Sequence, residues 1–180
     1  MTRVVYAFFF ISGACGLIYE IVWSRIMAEI FGTTVLAIGT VLAAFMLGLA
    51  AGGYFLGKAG DRSSNPLRLY AYYELGIAVA ALISLFLMDR VSGLYVWANG
   101  TFSGATWVIG LFRFLIAFLL VFVPTFLMGA TLPILSRFVI RSTQSVGRSL
   151  ASLYAINTLG AVAGCLLAGF VLIATLGVHN

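Results

Sequence analysis

The sequence predicts an all-α, polytopic transmembrane bundle of about five spans, and three observations carry that expectation. Lys, Arg, Asp and Glu together make up only 8% of the 180 residues, against roughly a quarter in a soluble domain. Hydrophobic residues reach 63% before the 20 glycines are counted. Charge-free stretches run from Ile30 to Gly57, Val91 to Phe112, Phe114 to Ser136 and Ser149 to the end. A water-soluble fold built from this chain would lack the polar surface to cover itself. A soluble enzyme, a disordered chain and a disulfide-stapled secreted domain are therefore excluded. Crossing the hydrocarbon takes about 20 apolar residues per helix, so residues 1–180 form one transmembrane helical domain.

The first span is expected over about 4–30. Arg3, the apolar run after it and Cys15 resemble a lipoprotein signal, but the chain stays apolar beyond Cys15 and the segment is expected to be retained. A short turn around Gly32 leads to the second span, about 35–56, which must lie antiparallel to the first. The polar segment from Gly57 to Pro66 reads as a loop, and Pro66 suits the first position of the third span, about 67–88. Residues 89–105 read as the opposite loop, with Tyr95, Trp97, Phe102 and Trp107 as an aromatic belt. The fourth span is expected over about 107–127, kinked at Pro124, with a short interfacial segment from there to Arg137. The fifth span, about 149–176, follows a basic loop.

Basic residues sort with these spans. Arg3, the group Lys58, Arg62 and Arg68, and the group Arg137, Arg141 and Arg148 all fall at one end of the predicted bundle. By the positive-inside rule that end, and the N-terminus with it, faces the cytoplasm. The net charge of +5 thus reads as topology. Nucleic-acid binding would need the charges clustered beside stacking or reading groups.

Small residues mark close helix approach: Gly48 and Gly52, and Gly53 and Gly57, on the second span, and Gly160 and Gly164 on the fifth. Cys15 and Cys165 lie in apolar runs at different depths and are expected to be buried and unbridged.

An ionisable group at the centre of a membrane helix costs on the order of 2.5–3.5 kcal/mol and needs a partner or a purpose. Glu20, roughly 24 Å up the first helix, and Arg113, roughly 10 Å down the fourth, share the outer half and are expected to pair. Glu74 and Asn157 lie roughly 10 and 12 Å from the inner ends of their helices and match in the same way. Either Asn157 and Thr158 donate to a Glu74 carboxylate, or a protonated Glu74 donates. Structural glue is the first reading of both pairs, and a ligand, ion or proton site is the second. Arg25 and Glu29 have the spacing of an ordinary i,i+4 pair.

No phosphate-cradling glycine loop and no Cys/His metal spacing occurs in the sequence, and its one histidine is His179. Ser12, Ser84 and Ser136 have no histidine to act as their base. No catalytic residue, metal or cofactor is expected.

Several stretches together resemble the membrane portion of the fused major-facilitator-like/spermidine synthase family of bacteria and archaea. They are Gly16–Arg25 (GLIYEIVWSR), Thr40–Ala50 (TVLAAFMLGLA), Pro66–Tyr70 with Glu74–Gly76, Pro124–Pro133 (PTFLMGATLP) and Leu153–Ala161 (LYAINTLGA). The resemblance implies part of a major-facilitator half, normally joined to a soluble spermidine synthase-like domain that has no counterpart in these residues. Gly57, Asp61 and Arg62 resemble the first half of the cytoplasmic signature between the second and third transporter helices, where Asp61 and Arg62 would help to latch a closure.

Residues and resemblance together lead to an expected non-catalytic membrane module. It would sit in a bacterial or archaeal cytoplasmic membrane as an accessory or docking subunit, in contact with lipid and with other membrane subunits or copies of itself. One alternative is a binding or transport module for a cationic small molecule such as a polyamine, with Tyr72, Tyr73 or Trp23 supplying cation-π surface. Another is the membrane half of a split synthase-like enzyme.

Overall fold

In the computed structural model, which describes residues 2–31, 34–101, 106–140 and 146–176, all regular structure is helical. The elements are α1 (Thr2–Phe31), α2 (Thr34–Arg62), α3 (Pro66–Thr101), α4 (Thr106–Val139) and α5 (Val146–Leu166). From α5 the chain passes through a π-helical turn (Leu167–Leu172) into a last α turn, α6 (Ile173–Leu176). Five helices are long and apolar enough to cross a membrane, over Arg3–Glu29, Ala37–Lys58, Pro66–Met88, Gly110–Val139 and Val146–Leu172. Large apolar side chains lie exposed on them, with Leu82, Phe86, Leu119 and Phe170 each more than 60% exposed. Such a surface suits lipid contact and would be an aggregation liability in water.

Three helices outlast the spans expected for them, because hydropathy marks where a helix leaves oil and says nothing about where it stops. Gly57–Arg62, read as loop, forms the last turns of α2, and only Ser63–Asn65 separates it from α3. The polar turns stay helical because Gly57 and Gly60 rest against Pro133 and Ile134 of α4, close enough that an added Cβ would meet them at 3.1 Å. Asn65 then starts α3 as an N-cap, its Oδ1 accepting the Arg68 N–H at 3.1 Å, with Pro66 at the first helical position.

Residues 89–101, also read as loop, extend α3, since no proline interrupts them. Of the expected aromatic belt, Trp107 is exposed on α4, and the side chains of Tyr95, Trp97 and Phe102 lie outside the described residues. Nor does the fourth span end near Leu127: α4 stays helical through Pro124 and Pro133 for 34 residues. Proline is tolerated inside membrane helices where hydroxyls and neighbouring helices compensate the freed backbone groups. Here α4 is packed along α2 at Gly129 and Pro133. Thr125 donates to the carbonyls of Val121 and Phe122, Thr131 to Met128 and Ser136 to Pro133. These add bonds around the prolines but do not reach Leu120 and Gly129, whose carbonyls the prolines free.

Two parallel helix pairs joined by glycine form the frame. On the α2–α4 seam, Gly48 lies against Thr125, Gly52 against the Phe126 carbonyl, Gly129 against the Leu49 carbonyl and Gly57 against Pro133, so contacts climb both helices together. On the α1–α5 seam, Gly160 faces the Phe10 carbonyl, Gly164 the Ala14 carbonyl and Gly13 the Asn157 carbonyl. Without a Cβ these backbones come near enough for Cα–H···O=C contacts, worth about 0.5–1 kcal/mol each. In lipid such packing replaces the hydrophobic drive that holds soluble helices together. Cys165, expected to be buried, is exposed because Gly160 and Gly164 take the inward face of α5.

Two apolar clusters fill the ends. Val5, Phe9, Tyr70, Ile134, Leu135 and Leu153 pack at the basic end. Trp23, Met27, Val41, Phe45, Ala81 and Met88 pack at the other, where Trp23 is fully buried and donates from Nε1 to Ser84 Oγ at 3.0 Å.

Candidate functional site

α1 packs on α5 and α2 and meets α3 more sparingly, along a groove. One face carries Phe10, Gly13 and Ala14 to α5, while Phe8, Ser12 and Cys15 line a groove along α3. The groove has a volume of about 540 Å³. Its α1 wall is a helical stripe, Val4, Val5, Phe8, Ile11, Ser12 and Cys15, and its α3 wall is Leu67, Tyr70, Ala71 and Glu74. These positions recur every three or four residues, so each wall is one face of its helix. α1 and α3 come together at the far end through the Trp23–Ser84 bond and at the basic end through the edge-on Phe9–Tyr70 ring contact, centroids 6.4 Å apart.

Glu74 stands roughly 12 Å along α3 from Pro66. Ser12 Oγ donates to its Oε1 at 2.7 Å. The bond offsets part of the cost of holding an ionisable group at this depth. Among the described residues Glu74 forms no ion pair. Tyr70, one turn before Glu74, shares the groove with it.

Asn157, expected beside Glu74, lies across α1 from it, its carbonyl against Gly13. The two share a depth but not a side of the bundle. Glu20 lines a separate cleft of about 730 Å³ with Ser24, Arg25 and Glu29 of α1, Ile38 of α2, Gly169 of the π-helical turn and Ile173 of α6. Its expected partner Arg113 has a side chain outside the described residues. Arg25 and Glu29 do pair, Nε to Oε1 at 3.3 Å, at the exposed rim. The cleft faces the site where the last helix loosens to i,i+5 bonding, with the Ile173 N–H on the Ala168 carbonyl.

The aromatic groups expected to meet a cation are engaged elsewhere. Trp23 is sealed in the core and stacked on Tyr19 at 5.8 Å. Tyr72 accepts the Arg68 Nε–H at 3.0 Å, and the same guanidinium lies over its ring. Tyr73 packs against the basic-end core. Of the loop signature, Arg62 is exposed at the end of α2 and the Asp61 side chain lies outside the described residues. The groove residues missed from sequence, Ser12, Cys15 and Tyr70, did carry a signal. Tyr70 and Glu74 have i,i+4 spacing, and Phe8, Ser12 and Cys15 repeat on one helical face.

The chain is 29% identical over 174 residues to polyamine aminopropyltransferase 2 of Streptomyces coelicolor, covering 93% of this chain and 29% of that protein. It thus spans less than a third of the relative's length. No family model matches the chain, and no solved structure matches it.

Proposed function

We propose that this chain is the membrane module of a polyamine aminopropyltransferase-type assembly, itself non-catalytic, which anchors and docks the catalytic portion at a bacterial or archaeal cytoplasmic membrane. The observation that supports it most is the way the similarity is shared out. Nearly all of this chain aligns with under a third of a protein named for aminopropyl transfer, and the aligned part consists here of apolar helices long enough to span a bilayer. The positive-inside rule places the basic end, with Arg3, Lys58, Arg62, Arg68, Arg137 and Arg148, on the cytoplasmic side. That end is then the docking face, where the short Ser63–Asn65 connection and the exposed Lys58, Arg62 and Arg68 meet the catalytic portion.

Native purification from membranes, read by mass spectrometry and by aminopropyl transfer, tests this reading. The expected result is a stoichiometric aminopropyltransferase-type polypeptide, either a separate subunit or a continuation of the same chain, with transfer activity in the assembly and none in residues 1–180 alone. Recovery of the chain with neither would overturn the proposal.

A further inference from the structure

Anchoring does not account for a carboxylate inside the bilayer, and the groove that holds it has a polarity of its own. Val4, Val5, Phe8 and Leu67 line its basic end, and the exposed Val4, Phe8, Ile11 and Ala71 leave it open along its side. Glu74 lies roughly 10 Å deeper along α3 than Leu67, at the level of Ser12 and Cys15. The basic end of the groove is therefore apolar and the deeper end acidic.

We propose that the α1–α3 groove binds an amphiphilic monocation, an alkylammonium whose single charge meets Glu74 and whose apolar body lies along Val4, Val5, Phe8 and Leu67. The volume of about 540 Å³ is that of a small-molecule site, which is typically apolar with a few convergent polar groups. Ser12 holds one carboxylate oxygen in place, and among the described residues no cation neutralises it. An ammonium supplies the missing counter-charge through a charge-assisted hydrogen bond. A polycation would leave its further charges against Val4 and Phe8, where nothing compensates their desolvation. A phospholipid in its leaflet would hold its headgroup at the basic end, roughly 10 Å short of Glu74, with its tails beside the carboxylate. The chemistry thus selects a free amphiphilic amine over both. The site does not depend on the anchoring role, since it is read on this chain without any partner.

The test is equilibrium binding of radiolabelled n-dodecylammonium to the chain in phosphatidylcholine nanodiscs, with empty discs subtracted. Saturable binding is expected, weakened about tenfold or more by Glu74→Gln, the loss of one charge-assisted contact. Ala71→Phe, at an exposed position on the groove lip, should block binding with the carboxylate intact, so the result does not hinge on how Glu74→Gln folds. Unlabelled dodecylammonium should displace the probe, and dodecanol and spermidine should not. Wild-type affinity in both variants would overturn the proposal. So would equal displacement by dodecanol or spermidine, or loss of binding in discs that contain phosphatidylethanolamine, which would assign the groove to lipid.

Discussion

Gly52→Val is expected to abolish recovery of folded protein in mild detergent, read as loss of the monodisperse peak in size-exclusion chromatography. An added Cβ at Gly52 would meet the Phe126 carbonyl, which is backbone and cannot swing aside as a side chain would. Relief requires α2 and α4 to separate, and that opens the seam at Gly48, Gly57 and Gly129 as well. The cost should reach about 4–5 kcal/mol or more, the exceptional end for a single substitution and comparable to a domain's whole stability. Gly39→Ala is the control, because nothing lies within 4 Å of a Cβ there. It should change stability by no more than about 1 kcal/mol. Equal behaviour of the two variants would show that close α2–α4 approach does not hold the bundle.

Trp23→Ala should cost about 3–5 kcal/mol in denaturant titration of the detergent-solubilised protein, the range for deleting a large buried aromatic. Trp23 is fully buried, stacks on Tyr19 and ties α1 to α3 through Ser84. Ser84→Ala separates packing from hydrogen bonding. It leaves the indole N–H without its acceptor and should cost about 1–3 kcal/mol. Trp23→Phe should fall below Trp23→Ala, since it keeps most of the volume and Ser84 still donates to the Ala81 carbonyl. A loss in Ser84→Ala equal to that in Trp23→Ala would place the whole effect in the bond.

Composition was enough to read the class of fold and the number of helices, because burying a backbone in oil leaves few architectures. The helix ends were harder. Gly57–Arg62 and 89–101 carry loop-like polarity yet are helical, one held by α4 and the other free of any proline. Pro124 and Pro133 signal a break, yet α4, packed along the glycine seam, runs helical through both. At the site, depth along each helix was legible and direction around the bundle was not. Counting residues put Glu74 and Asn157 at one level, but which side of α1 each occupies depends on Gly13, Gly160 and Gly164 drawing α5 to one face and leaving Ser12 to the other. A carboxylate's need for a partner was visible in the sequence, while the identity of that partner required the packing of three helices at once.

Whether the outer surface of this bundle faces lipid can be read from nitroxide labels at Leu82 and Phe86 on α3 and at Val162 and Phe170 near the C-terminal end, all exposed. In liposomes these labels should collide frequently with oxygen and rarely with a water-soluble nickel chelate. Frequent collision with the chelate and rare collision with oxygen at the same four positions would mean that this surface faces water.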